Sequence, residues 1–306
     1  MIPCTAKIIN QLTARFTLGS KHWVLGILVS LSACSLVVTG YNQAPSLLIF
    51  TWVNPHFDLS AEQDKQLRLD LQALHKWHRQ QQLPIYADIF QKMATLAPKE
   101  LTGPQICALV DELKDTLSPL SQQLSPAIAR LAIKLSPEQL QRLEKQFVKD
   151  NKDYRKEWKF DADSADQLEV QTDKGIENAE RLYGRLDSKQ KALVKQLAKE
   201  SQFDLSKSWN ERLRRQQDIM TTLERITKSQ QGLSFAQQES LALLERSVLH
   251  SPDESYRSYA DMRQTINCEA AAQLHKTTST AQREAAEKTL KTYEADVRAL
   301  AKAAAS

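Results

Sequence analysis

His75 and His78 stand three residues apart, with Trp77 between them and Arg79 directly after, so both imidazoles fall on one helix face and could begin a metal site. Closing such a site needs a third ligand. The sequence offers the distant His56, His250 and His275 or scattered carboxylates, with no H-E-x-x-H and no paired-cysteine pattern. The simpler reading is a polar helix face beside a packed Trp77, with His75 and His78 as weak metal candidates; separately, if the helical surface binds another protein, Trp77, His78 and Arg79 are the candidate contact residues. Nucleophilic chemistry has less support. There is no G-x-S-x-G turn, the serines and histidines define no triad, and the acidic residues are spread among Lys and Arg, where helix surfaces form solvated pairs. No side chain is assigned a catalytic role, no cofactor is expected, and the protein is expected not to be an enzyme.

Cysteine supplies chemistry of another kind. Residues 1–33 contain Lys7, Arg15 and Lys21 but no acid, and the nine-residue apolar run from Trp23 to Leu31 suits an export signal while being too short to span a bilayer. The next residues, Leu31-Ser32-Ala33-Cys34, resemble the bacterial lipobox, in which a signal peptidase cuts before a cysteine that already carries a diacylglycerol. That resemblance implies removal of residues 1–33 and a lipidated Cys34 whose several acyl chains hold the protein stably to a membrane. Ser35, where Asp does not stand, resembles the sorting context of outer-membrane lipoproteins, so the expected location is the outer membrane, facing the periplasm. Further along, Cys107 and Cys268 lie in predicted helices with 160 residues between them. In an oxidising compartment the pair invites a disulfide, and closing so long a loop contributes about 3–5 kcal/mol.

Helices must position these groups. Removing the three signal cations from 41 basic residues leaves one more cation than the 37 acidic groups, and the charges are interspersed. Such a chain lacks the clustered basic surface that nucleic-acid binding requires. Beyond Cys34 only Gly40, Gly103, Gly175, Gly184 and Gly232 remain, while Gln, Leu, Ala, Lys and Glu abound, which favours helices over hairpins. Six helix starts are marked by an N-cap oxygen three residues before a Gln that can cap back: Ser60/Gln63, Thr102/Gln105, Ser136/Gln139, Asp187/Gln190, Ser234/Gln237 and Ser279/Gln282. Leu59, Leu101, Leu135, Leu186 and Leu233 precede the first five caps as hydrophobic staples. Apolar residues recur at three-and-four spacing, as in Leu140, Leu143, Phe147, Tyr154 and Trp158, and partner helices are predicted around residues 165–182, 207–228 and 253–274. The prediction is an all-α fold of antiparallel helix hairpins in an elongated bundle or repeat-like array. Residues 34–58 form a lipidated, apolar tether and residues 59–306 the helical domain, with a possible division near Leu135. Eight prolines from Pro45 to Pro137, against Pro252 alone thereafter, predict short, kinked helices first and longer ones later. Leu47, Leu48, Ile49, Phe50 and Trp52, about a dozen residues beyond Cys34, either rest on the bilayer surface or pack in the core, and core packing is the expectation because no basic residue flanks them.

Several stretches also carry a family resemblance. They are Tyr41 to Trp52 (YNQAPSLLIFTW), Phe57-Asp58-Leu59, His75 to Arg79 (HKWHR), Leu83 to Ala87 (LPIYA), Tyr183-Gly184-Arg185-Leu186 and Leu274 to Arg283 (LHKTTSTAQR). With Cys34, they resemble an uncharacterised lipoprotein family of Gram-negative proteobacteria, a domain of unknown function of the DUF6279 type. The resemblance runs through most of the chain beyond Cys34 and implies an envelope lipoprotein without supplying an activity.

The resulting expectation is a membrane-anchored envelope lipoprotein that presents a helical surface to another envelope protein. An alternative arises from the Leu-Ser/Thr-x-x-Gln signal, which looks like the repeats of small periplasmic stress chaperones built from helical hairpins. It would make the protein a holdase, although capping alone explains the tetrapeptide.

Overall fold

Helices begin in this chain where a side-chain oxygen can accept from amides that a first turn leaves unpaired. In the computed structural model, which describes residues 40–302, the boxes Ser60/Gln63, Thr102/Gln105, Ser136/Gln139 and Asp187/Gln190 form in full. So does Ser279/Gln282, with reciprocal bonds of 3.0 and 3.2 Å. The box expected at Ser234/Gln237 does not form, because the helix starts earlier, at Gly232. Gly232 has a φ of +78°, which turns the chain sharply into the helix. The Ser229 hydroxyl accepts from the Gln231 amide at 3.1 Å, and the early start lets Ala236 and Ser240 become fully buried.

The helices are α1 (Ala44–Leu48), α2 (Asn54–Phe57), α3 (Ala61–Trp77), α4 (Leu83–Leu96), α5 (Gly103–Asp115), α6 (Leu117–Ala132), α7 (Pro137–Glu157), α8 (Ser164–Tyr183), α9 (Ser188–Glu200), α10 (Leu205–Lys228), α11 (Gly232–Leu244), α12 (Glu254–Lys276) and α13 (Thr280–Lys302). No strand occurs among the described residues. Wide π-turns, Ile49–Val53 and His78–Gln82, join α1 to α2 and α3 to α4. In each, an amide bonds back five residues, Asn54 to Ile49 and Leu83 to His78, and proline is the next residue. Pro55 and Pro84 cannot donate, and their rings crowd the carbonyl four residues back, so a wider turn relieves both problems. Prolines thus shape the N-terminal helices as expected, and α7, α8, α10, α12 and α13 are the long ones.

Residues 41–302 fall in one compact unit. Its helices form an all-α bundle whose most extensive pairings are nested: α4 packs on α13, α5 on α12 and α6 on α11, while α7 meets α10. Consecutive hairpins such as α8–α9 and α10–α11 exist beside them. Small residues allow the close α6–α11 approach, with Ala129, Ala236 and Ser240 fully buried and Ala132 nearly so. The main core gathers Ile49, Val53 and Phe57 with Leu67, Leu71, Leu140, Leu143, Leu223 and Ile226.

Four capping glutamines do more than cap. Gln63 and Gln139 exchange amide bonds of 3.0 and 2.7 Å, while Gln63 also donates to the Lys134 carbonyl and Gln139 to that of Asp58. Gln190 and Gln282 repeat the arrangement at 2.8 and 2.9 Å, donating to the Thr277 and Arg185 carbonyls. In every case the acceptor lies two residues before the partner's N-cap. Each clasp therefore locks two helix starts together, across 76 residues in one case and 92 in the other.

Candidate functional site

Residues 41–57 form a strap on the bundle, and its first residues meet the side chains singled out by the sequence. His75, in the last turn of α3, donates from Nε2 to the Tyr41 carbonyl at 3.0 Å, and the two rings lie 4.3 Å apart. His78 Nδ1 is 2.8 Å from the Tyr41 hydroxyl, with the Tyr86 ring 5.7 Å away. Arg79 is buried, holds its guanidinium 5.1 Å over the Tyr41 ring and donates to Asn42 Oδ1. The wide turn between α3 and α4 keeps both Arg79 and Gln82 inward, and Gln82 donates to the Thr116 carbonyl at 2.7 Å.

The expected contact surface is therefore largely occupied by the chain itself. Arg79 and His78 grip Asn42 and Tyr41, which leaves Trp77 only partly exposed beside them. No third His, Cys, Asp or Glu joins His75 and His78 in a group able to hold a metal ion among the described residues. What the cluster does chemically is hold the uncharged start of the strap through two imidazoles and a guanidinium.

Burial, aided by the Arg79 charge, pulls the His75 imidazole below its usual range, although its bond to the Tyr41 carbonyl opposes this. Burial and then the neighbouring His75 do the same to His78. The folded state thus binds fewer protons than the unfolded chain, whose imidazoles titrate near about 6.5, so stability falls as pH drops through that value and the loss is complete below the lowered folded values. Urea midpoints measured between neutral pH and about pH 5.5 should decline in the wild type and decline less in His78→Gln. An equal slope in both would remove His78 from this linkage.

A second ionic cluster is structural. Glu211 is nearly fully buried and accepts from Arg214 at 2.7 and 2.9 Å, from Arg215 at 2.7 Å and from the Ser251 hydroxyl at 3.1 Å. Burial pushes its carboxyl up, but the two guanidiniums outweigh it and the net direction is down. Asp218 meets Arg246 through two bonds of 3.0 Å. With both carboxylates paired to arginines, this network fastens α10 to the segment before α12.

Cys107 of α5 and Cys268 of α12 stand at disulfide distance, with Cα atoms 5.5 Å apart. Cys34 and residues 1–33 lie outside the described residues. Sequence reasoning did not find Tyr41 as the anchor of the strap. The available signal was a Tyr-Asn pair opening an otherwise uncharged stretch, but its partner is 37 residues away.

Nested helices, two glutamine clasps and an N-terminal strap held under His75, His78 and Arg79 define an all-α domain across the described residues. The chain belongs to the family of unknown function DUF6279, which matches residues 55–257. That span takes in the HKWHR stretch, Cys107 and the first clasp, and it ends before Cys268 and Gln282. No curated protein and no solved structure is found to match.

Proposed function

We propose that the chain is an exported bacterial lipoprotein, cleaved before Cys34 and held by acyl chains on that residue in the outer membrane, facing the periplasm. Its helical domain serves a non-catalytic, structural or protein-binding role in the envelope, with another envelope protein as partner. The observation that carries this reading is Leu31-Ser32-Ala33-Cys34 placed directly after a nine-residue apolar run and an acid-free start. Cys107 and Cys268 at bonding distance support it, because structural disulfides belong to oxidising compartments. Cells grown with labelled palmitate should yield a labelled wild-type protein. Cys34→Ser should be unlabelled and larger by the uncleaved leader. Equal labelling of the two proteins, or none in either, contradicts the reading.

A chaperone-like holdase is the second reading, favoured by the recurrent Leu-Ser/Thr-x-x-Gln signal, although capping and clasping account for its glutamines. It requires the purified protein to suppress aggregation of a denatured client. Unchanged aggregation removes it.

A further inference from the structure

The strap has two faces of different character. Ile49, Val53, His56 and Phe57 are buried against the bundle, while Phe50 is 74% exposed, Trp52 51%, Leu48 44% and Leu47 41%. This departs from the expectation that the apolar run packs in the core: of the five residues expected there, Ile49 alone is buried. The outer face is also held in place. Trp52 stacks on His56 with ring centroids 4.6 Å apart, and His56 is fixed by the Trp52 carbonyl at 2.6 Å and by Asp150 of α7 at 3.0 Å. Four large apolar side chains are thus presented to solvent on a rigid support.

We propose that this outer face of the strap lies in the interfacial layer of a phospholipid bilayer, as a second, non-covalent contact beside the acylated cysteine. The inference rests on the lipoprotein reading for its geometry. Ten residues lead from Cys34 to Ala44, a reach of at most about 35 Å even when fully extended, so the face cannot travel far from the membrane that holds Cys34. The chemistry agrees. From Ser35 to Phe57 the sequence has no Asp, Glu, Lys or Arg, so no ionic group must be dehydrated on contact, and Trp with Phe and Leu is the set that favours the water–lipid boundary. No helix among the described residues is long and apolar enough to cross a membrane, which makes the contact one that lies on the bilayer.

The rim of the face sharpens the class of lipid. Arg68 donates to Ser46 Oγ at 3.2 Å and Arg142 to the Pro55 carbonyl at 3.3 Å, so a cation borders the strap toward either end. Each is paired with an aspartate, Arg68 with Asp64 and Arg142 with Asp58. Neither cation is left unpaired, and the contact should neither need anionic headgroups nor weaken as salt is raised.

Protein purified from membranes and reconstituted into phosphatidylcholine vesicles with brominated acyl chains tests this. The difference between wild type and Trp52→Phe isolates the Trp52 emission, and mass spectrometry of the same preparation reports the acyl chains. The proposal expects a severalfold loss of Trp52 emission relative to plain vesicles, insensitive to salt and accompanied by an acylated Cys34. Phe50→Ser combined with Trp52→Ser, both on the exposed face, should keep the wild-type circular dichroism and melting temperature. An acylated protein with unquenched Trp52 overturns the proposal and leaves the anchoring reading intact. If it also self-associates until Phe50→Ser and Trp52→Ser are introduced, a second copy is the occupant. An unacylated protein with quenched Trp52 supports the bilayer contact and overturns the anchoring instead. An unacylated and unquenched protein overturns both.

Discussion

Replacing Cys107 and Cys268 together by serine is expected to lower the unfolding free energy by about 3–5 kcal/mol, because the bridge removes loop-closure entropy from the unfolded chain across a separation of 161 residues. The topology makes the effect large. The bridge ties α5 to α12, one of the nested pairings in which a late helix returns to an early one, and these contacts are entropically the hardest to re-form. Wild type treated with a reductant should unfold at the same denaturant concentration as the double-serine variant, and untreated wild type well above it. Substituting both residues avoids the confusion of a single free thiol. Coincident curves for all three samples would show that the two sulfurs are not bonded in the protein.

Gln190→Ala should cost about 2–3 kcal/mol, more than the ordinary loss of a helix cap, because it strips several buried groups at once. The Gln190 side chain accepts from the Asp187 amide at 3.0 Å, donates to the Thr277 carbonyl at 3.1 Å and exchanges bonds with Gln282 at 2.8 and 2.9 Å, all in a residue only 3% exposed. Alanine leaves the carbonyl and the Gln282 amide without their partner in a place water reaches poorly. In a double-mutant cycle, Gln190→Ala and Gln282→Ala should be strongly non-additive, since each destroys the same clasp. Gln237→Ala is the internal control. It belongs to the box that does not form, is exposed, and should change stability by less than about 0.5 kcal/mol. Equal costs at Gln190 and Gln237 would reduce the clasp to an ordinary surface contact.

These two cases show which parts of the fold could be read in advance. A helix start is local chemistry, an oxygen and a glutamine three residues apart, so Ser60, Thr102, Ser136, Asp187 and Ser279 were legible one by one. Ser234 carried the same pattern and was overruled by Gly232, whose positive φ starts the helix sooner so that Ala236 and Ser240 can face α6. Partner choice is not local. Nothing in the spacing of Gln190 shows that it will meet Gln282, or that α4 will pack on α13, because those pairings depend on which faces carry small residues and where the chain reverses. The candidate site divides in the same way. His75, His78 and Arg79 stood out by type and spacing, yet their task of holding Tyr41 and Asn42 depends on residues far along the chain and on a wide turn set by Pro84. The alternation of inward Ile49 and Val53 with outward Phe50 and Trp52 was blurred by another wide turn, which interrupts the helical period within the strap.

The intact mass of the protein extracted from membranes, taken before and after reduction, bears most directly on the proposed anchoring. The expected species begins at Cys34, carries acyl chains on that residue and gains two hydrogens on reduction as the Cys107–Cys268 bond opens. A chain that retains residues 1–33, bears no acyl group and has the same mass in both states would contradict export, anchoring and the bridge together.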